Sequence, residues 1–466
     1  MWAVSCERYS SREGNSLSCV SDSPAADPHR KFCRAIGGIW DKGRRVRKYE
    51  RRSARSRAGA WGAAAVTTAA VLVNGAGAGA AETGPVPLPG CPSLLVLGVQ
   101  GTSESSLTAP TQHDSGMLGT MFAPMLANGT DIDRIYIPYP ASFGGAIGTG
   151  AGTDPFTVSM THARSRLDAT AAQVVQQCPN TQIAAAGYSS GSAVVSEWAQ
   201  DVGAGKGPVA PDRVAGVALL SDPTRPPGGE PLPGRPRQFS PSAPPGTDGA
   251  RTSEIRLAPV PVSGGIASDG TDFGALAGRV GEFCSPGDLA CDAPGRASAL
   301  RVASGIAAQA DLRNPLAAIP SLTQISGQTV AEASNTIVLS DVTVSPSGQV
   351  DYRPAETVSQ RLADAADPRT PAPSPQQMQA AADKTEQIAA AIAADPLGHL
   401  PRLAGQVGAA LSAEVAANAD LLNPATVLHY ATVPAAHTSY GATGQTGRAA
   451  DWFAAMSQDL AARNAR

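Results

Sequence analysis

The pentapeptide Gly187-Tyr188-Ser189-Ser190-Gly191 constrains the fold more than any other feature of this chain. It lies between the strand-like run 181–186 and the helical segment 190–202, the context in which a Gly-x-Ser-x-Gly sequence places its serine on a sharp turn above a sheet. Both glycines are needed there because the helix passes so close that side chains would clash. The backbone N–H of Ser190 lies at the helix N-terminus, where it can stabilise an oxyanion. We therefore predict Ser189 as a nucleophile; the alternative is a simple glycine-rich turn.

Strand-like and helical patterns alternate on both sides of this pentapeptide. Apolar runs typical of buried strands occur at 94–99, 135–139, 181–186 and 214–220, and helical spacing occurs at 158–178 and 190–202. This alternation predicts an α/β fold whose central sheet is mostly parallel.

The composition changes in the second half of the chain. Residues 296–422 are Ala-rich and helical in pattern, broken by the strand-like segment 336–344. We predict a mainly helical insertion at 293–425. Residues 82–292 then form the α/β core, and residues 426–466 return to it.

The N-terminal region has the pattern of an export signal. Residues 44–57 contain eight basic side chains and one acidic side chain, and residues 58–81 contain no charge. The apolar run 60–73 is short for a membrane span and is followed by small residues that offer Ala-x-Ala cleavage sites. We predict a signal peptide at 44–81, the alternative being a signal anchor. For residues 1–43 we expect a disordered extension or a misassigned start.

The seven cysteines are an odd number, but three of them lie within residues 1–81. The four that remain are Cys91, Cys178, Cys284 and Cys291. An even number in an exported chain is typical of a two-disulfide framework. We therefore expect a secreted protein, extracellular or in the cell envelope.

The charge of the chain argues against a nucleic-acid partner. Residues 1–57 hold 14 of the 36 basic and 6 of the 39 acidic side chains, so the remaining chain has 22 basic and 33 acidic ones and a net charge of −11. The sequence has no P-loop and no closely spaced His/Cys ligands apart from these cysteines. We expect no cofactor, no metal and a monomer.

A serine hydroxyl needs a general base and an orienting acid, which follow it in this fold in the order Asp/Glu, then His. Three histidines follow Ser189, namely His399, His429 and His437. His437 lies in a short polar loop before the final helical segment, where a tethered base can be placed, and we favour it. His429 is the second candidate, and His399 fits a packed or surface role within the helical region.

Two carboxylates compete for the role of the acid. Asp288 lies between Cys284 and Cys291, and a disulfide there would hold its carboxylate in place. Asp222 lies at the end of a strand-like run. The alternative for either carboxylate is a purely structural role in a turn or a helix cap. We favour Asp288.

Together these motifs carry a family resemblance. In chain order they are Cys91-Pro92, Gly101-Thr102-Ser103-Glu104, Cys178-Pro179-Asn180, Gly187-Tyr188-Ser189-x-Gly191, Cys284-x-x-Gly287-Asp288-x-x-Cys291 and His437-x-x-Tyr440. This order resembles the cutinase family of serine esterases, in an actinobacterial form with a long insertion. The resemblance covers residues 91–292 and resumes at 437. It implies a three-layer α/β-hydrolase fold of the cutinase type, with the helical insertion before the catalytic histidine.

The resemblance also implies roles for particular residues. Ser189 would be the nucleophile, Asp288 the acid and His437 the base, with an oxyanion hole formed by the Ser190 N–H and by the backbone and hydroxyl of Thr102. The implied disulfides are Cys91–Cys178 and Cys284–Cys291. Two departures stand out: the family commonly has Gln where this chain has Ser190, and its interval from the acid to the base is short, whereas 149 residues separate Asp288 from His437 here.

These features predict a secreted serine carboxylesterase that forms an acyl-enzyme and acts on lipid-like or polymeric esters. Two alternatives remain open. The same triad could transfer the acyl group to another alcohol, as a cell-envelope acyltransferase does, or the fold could serve a non-catalytic envelope-binding protein. The helical insertion could cover the site, contact a lipid surface or simply pack on the sheet.

Overall fold

The computed structural model describes residues 7–11, 14–18, 85–267 and 271–465, and the chain divides into two compact units, 1–79 and 80–466. In the first unit, strands β1 (Glu7–Ser11) and β2 (Gly14–Ser18) pair antiparallel. They fall within the extension predicted at 1–43. The predicted signal peptide at 44–81 lies outside the described residues and stays a prediction.

A five-stranded parallel sheet forms the centre of the second unit. Its strands are β3 (Leu94–Val99), β4 (Ile132–Tyr136), β5 (Gln182–Tyr188), β6 (Val214–Leu220) and β7 (Val280–Phe283). They lie in the order β4-β3-β5-β6-β7, and every neighbouring pair is parallel. The mostly parallel sheet predicted from the sequence is confirmed. Because all strands run the same way, their carboxyl ends share one edge of the sheet.

Helices cover both faces of the sheet and give three layers. The four flanking helices are α1 (Gly116–Asn128), α2 (Phe156–Gln177), α3 (Ser190–Gly203) and α11 (Gln445–Asn464). Helices α1 and α11 pack on one face, where Phe122 and Trp452 are buried, and α2 and α3 pack on the other, around Leu167 and Trp198. This arrangement is the α/β-hydrolase class of fold.

The strands are apolar on both sides because both faces are covered. In β5, Ile183 and Ala185 face α2 and α3, whereas Ala184 and Ala186 face α1 and α11. All seven residues of this strand are buried. The alternation explains why the sequence shows a continuous apolar run here and no polar face.

Strand β4 begins and ends three residues earlier than the predicted run 135–139. Ile137 still donates its N–H to Gly98, but Pro138 has no N–H, so the ladder ends before it. The start was missed because Asp133 and Arg134 are polar, as an edge strand allows. The predicted strand-like segment 336–344 is also shorter than expected, since a helical turn continues through Ile337–Asp341 and only Val342–Val344 form a strand.

The region from 298 to 437 is mainly helical, in agreement with the sequence pattern. Its helices are α4 (Ser298–Gln309), α5 (Pro315–Thr336), α6 (Val358–Ala366), α7 (Pro375–Ala394), α8 (Pro396–Ala417), α9 (Pro424–His429) and α10 (Val433–His437), with a short hairpin of β8 (Val342–Val344) and β9 (Val350–Tyr352). Helices α6 and α7 each begin with a complete capping box, in which the capping hydroxyl belongs to Thr357 and to Ser374, respectively. No helix in the described residues is long and apolar enough to cross a membrane.

The insertion leaves and rejoins the core at neighbouring points. Near its start, Arg296 pairs with Asp420 at 2.8 Å. Asp292, just before the insertion, accepts a hydrogen bond from the imidazole of His429 at 3.2 Å. The helices between these contacts therefore form an excursion whose two ends are joined side by side.

Two disulfides fasten the core. Cys91, just before β3, is bonded to Cys178, just before β5, and Cys284 is bonded to Cys291 in the loop after β7. The first bond joins positions 87 residues apart, and the second joins positions only 7 apart. A crosslink that closes a longer loop removes more entropy from the unfolded chain.

Removing the two disulfides should therefore have unequal effects on stability. From loop length we expect the double variant Cys91→Ser/Cys178→Ser to lose about 4–5 kcal/mol of unfolding free energy, and Cys284→Ser/Cys291→Ser about 2–3 kcal/mol. Urea unfolding of both variants and of the oxidised wild type measures the difference. Equal losses, or a larger loss for the second pair, would contradict the loop-length argument.

Candidate active site

Ser189 occupies the sharp turn between β5 and α3. Its backbone is at φ 54° and ψ −120°, a strained conformation for a residue with a side chain. A Cβ at Gly187 would lie 2.5 Å from the Cα of Ser192, and a Cβ at Gly191 would lie 2.5 Å from the carbonyl oxygen of Gln100. Neither position therefore accepts a side chain, which is the steric requirement expected from the sequence.

Asp288 and His437 meet across the insertion. The imidazole Nδ1 of His437 lies 2.8 Å from Oδ1 of Asp288, and the Tyr440 hydroxyl donates to Oδ2 at 2.6 Å. Asp288 is fully buried, whereas about a third of the His437 side chain is exposed. Burial alone would raise the pKa of Asp288, but hydrogen bonds from His437, Tyr440 and Ser221 outweigh it and hold the pKa below its usual value. The carboxylate is therefore ionised at neutral pH.

The sequence predicts a short polar loop at His437. In the structure, His437 is instead the last residue of helix α10. Its backbone carbonyl accepts a hydrogen bond from the Tyr188 hydroxyl at 2.7 Å, and the two rings are 5.3 Å apart. Tyr188 directly precedes Ser189, so these contacts hold the imidazole beside the turn. The Ser189 hydroxyl itself makes no hydrogen bond within the part of the chain that the structure describes.

The competing candidates lie elsewhere. His429 bonds to Asp292, and His399 is nearly buried within α8. Asp222 accepts hydrogen bonds from the N–H and hydroxyl of Thr224 and makes none to a histidine within the described residues.

Thr102 and Ser190, the predicted oxyanion-hole residues, are in direct contact. The Thr102 hydroxyl donates to Oγ of Ser190 at 3.2 Å. Tyr139 donates its proton to the carbonyl of Gln100 at 2.5 Å, so at the 3.1 Å contact between Tyr139 and Ser190 the serine is the donor. The serine thus lies between two hydroxyls and fixes the Thr102 loop against the start of α3.

Glu104 braces the same loop. Its carboxylate accepts from the backbone N–H of Gly101 at 3.1 Å and from that of Met117, in the first turn of α1, at 2.9 Å. Burial raises the pKa of Glu104 despite these two bonds. Sequence reasoning assigned no role to Glu104 or Tyr139, because their contacts depend on tertiary structure; the only signal was the position of Glu104 within the loop motif.

A second group of buried charges lies below the strand ends. Asp222 and Glu282 are both buried, and Nη1 of Arg225 lies 4.0 Å from Glu282. Burial raises the pKa of Asp222 to about 6, and burial together with the Asp222 charge raises the pKa of Glu282 well above its usual value. Within residues 85–267 and 271–465, no group of three His, Cys, Asp or Glu side chains is arranged to hold a metal ion.

The fold and the geometry around Ser189 define the class: a three-layer α/β-hydrolase domain with this serine on a strained turn at the carboxyl edge of its sheet. The family model for cutinase matches residues 90–303 of this chain. This region of the chain therefore resembles the cutinase family, a family of carboxylic ester hydrolases.

Individual relatives were also found. The chain is 27% identical over 218 residues to a protein of Corynebacterium glutamicum described as a carboxylesterase Culp6 homolog, a match that covers 44% of this chain and 66% of that protein. Among solved structures, the catalytic core of acetyl xylan esterase from Trichoderma reesei is 17% identical with a TM-score of 0.31, covering 50% of this chain and 99% of that one. A cutinase from the same fungus, in complex with a phosphonate inhibitor, is 24% identical with a TM-score of 0.22, covering 30% and 55%.

The two buried aspartates should affect stability in opposite ways as pH changes. The folded-state pKa of Asp222, about 6, is above its value of 3.8 in an exposed chain, so its contribution is favourable at low pH and is lost as pH rises through 6. This loss amounts to up to about 3 kcal/mol of unfolding free energy, and Asp222→Asn should abolish it. Asp288 has a lowered pKa, so its contribution is present at neutral pH and is lost on acidification.

Urea unfolding at several pH values from about 2 to 7 measures both effects. Relative to wild type, we expect Asp222→Asn to gain stability as pH rises from 4 to 7, and Asp288→Asn to lose stability as pH rises from about 2 to 4, because the pKa of Asp288 lies below 3.8. The same sign of change in both variants would contradict the assignment of the two environments.

Proposed function

We propose that this protein hydrolyses carboxylic esters through an acyl-enzyme formed on Ser189. The observation that carries the proposal is the placement of Ser189 on a strained turn at the sheet edge, with the Asp288–His437 pair at the same edge. The cutinase-family match and the relative described as a carboxylesterase support it. That relative is matched over 66% of its length, so the activity of the whole chain is part of the proposal.

In the proposed first step, Ser189 attacks the ester carbonyl carbon while Nε2 of His437 takes the hydroxyl proton. Asp288 accepts from Nδ1–H of the ring, which leaves Nε2 free as the base, and its negative charge stabilises the imidazolium that forms. The low pKa of Asp288 suits this role because the carboxylate stays ionised. Apo structures often lack the serine–histidine hydrogen bond, which tightens when substrate binds.

The developing oxyanion needs donors that are already in place. Ser190 is the first residue of α3, so its N–H has no acceptor within the helix. Together with the backbone N–H of Thr102, it would donate to the oxyanion. In the described structure the Thr102 hydroxyl donates to Ser190 and would have to rotate to reach the oxyanion. His437 then returns its proton to the leaving alcohol, and water releases the acyl group by the same steps in reverse.

We further propose that the substrates have apolar acyl groups and that the protein works outside the cytoplasm. The insertion has an apolar groove of about 660 Å³ between α4, α6 and α8, lined by Val302, Leu362, Val407 and Leu411 among others. Several leucines of the insertion helices are exposed, including Leu316, Leu397 and Leu422. Two disulfides fit an oxidising compartment, as secretion requires.

Hydrolysis of p-nitrophenyl butyrate tests the nucleophile. Ser189→Ala should lower kcat/KM by at least about a thousandfold, because the acyl-enzyme cannot form. Far-UV circular dichroism and urea unfolding confirm that the variant is folded. Equal turnover by wild type and variant would overturn the assignment of Ser189.

A matched pair of histidine variants tests the base. His437→Ala should lose activity to a similar extent, whereas His429→Ala, which removes the other Asp-bonded imidazole, should keep kcat/KM within about threefold.

The same assay on p-nitrophenyl palmitate tests the acyl preference. A marked preference for acetate over the longer esters would contradict the proposed apolar substrates.

A further inference from the structure

Ser221 directly follows β6 at the edge of the sheet that carries Ser189 and Asp288. Its backbone is at φ 58°, in the left-handed region that favours glycine, and its side chain is fully buried. Its N–H donates to the carbonyl of Phe283 at 2.9 Å, which extends the β6–β7 ladder by one bond. A serine in this backbone conformation is strained, whereas a glycine would not be. A role for the hydroxyl would explain why a serine occupies this position.

The hydroxyl of Ser221 lies among the groups that orient the imidazole. Oγ is 3.1 Å from Nδ1 of His437, and it lies close enough to the Asp288 carboxylate and the Tyr440 hydroxyl to favour the ionised form of each group and so to act on its pKa. Tyr440 already donates its proton to Oδ2 of Asp288. The consistent proton assignment is that Nδ1–H is shared between Asp288 and Ser221, while the Ser221 hydroxyl donates to Asp288.

We propose that Ser221 is a positioning residue that acts through His437 and Asp288 as a fourth member of the catalytic group. By accepting from Nδ1–H it keeps the proton on that nitrogen and holds the ring beside the Asp288 carboxylate. By donating to Asp288 it helps to keep the carboxylate ionised inside a buried site. This inference rests on the proposed function, because it concerns the same site.

Other groups that face His437 do not duplicate this role. Tyr188 lies against the ring and bonds its backbone carbonyl, and Glu104 acts on it only through its charge. Tyr440 bonds the far oxygen of Asp288 and makes no bond to the imidazole within the described residues. Ser221 therefore contacts both partners of the pair.

Two variants separate the hydroxyl from the backbone. Ser221→Ala and Ser221→Gly both remove the hydroxyl, but only glycine relieves the positive φ, so the glycine variant should be the more stable of the two. If the hydroxyl orients the base, both variants should lose kcat by a similar factor of about 10 to 100, with KM within about twofold, because the interaction matters most when the imidazolium forms. Ser457→Ala removes another buried hydroxyl, remote in α11, and should keep kcat unchanged.

A spectroscopic measurement makes the test independent of turnover. In the Ser189→Ala background, the Nδ1–H proton resonance of His437 should move when Ser221 is replaced by Ala or Gly, and should stay in place in the Ser457→Ala control. Without Ser189-dependent turnover in the wild type, the proposed function fails, yet this resonance still tests the contact.

Two results would overturn the inference. One is an unchanged kcat together with an unchanged Nδ1–H resonance in both Ser221 variants. The other is loss of activity in Ser221→Ala with full activity in Ser221→Gly, which would show that position 221 acts through its backbone alone.

Discussion

The parallel alignment of β5, β6 and β7 is the constraint on which the rest of this structure depends. Ser189 follows β5, Ser221 follows β6, and Asp288 lies in the loop after β7. The hydrogen bonding of the sheet continues past the strands, since Ser189 donates its N–H to Leu220 and Ser221 donates its N–H to Phe283, both at 2.9 Å. The register of the sheet thereby sets the relative heights of the residues above it. A slip of one residue in any of these strands would turn its side chains to the opposite face.

The strands that the sequence predicts best are those with no polar residue. Strands β3 and β6 begin and end at the predicted residues, because each is a continuous apolar run buried on both sides. Strand β4 was misplaced and β7 was not predicted. The first is an edge strand with polar residues, and the second has only four residues and includes Glu282, whose burial depends on neighbours that no local pattern shows.

The site divides in the same way. The requirement for glycine on both sides of Ser189 follows from local geometry, and the bounds of the adjoining helix were predicted to within a residue. The contact between Asp288 and His437 spans 149 residues, so spacing alone could not predict it. The cysteines around Asp288 and the polar segment around His437 favoured these two residues, and the family resemblance implied that they act together. The contacts of Ser221 could not be predicted either, because nothing in the residue type signals a left-handed backbone. The hydroxyl chain from Thr102 through Ser190 to Tyr139 is likewise a product of the tertiary fold.

The joined ends of the insertion have an architectural consequence. Asp292 and His429 are 137 residues apart in sequence but form a hydrogen bond with each other. The insertion therefore only has to connect two points of the core that lie close together. The entropy of closing a loop grows slowly with its length, and most of the intervening chain forms helices of its own. A change in the length or content of this segment should therefore leave the shape of the core intact.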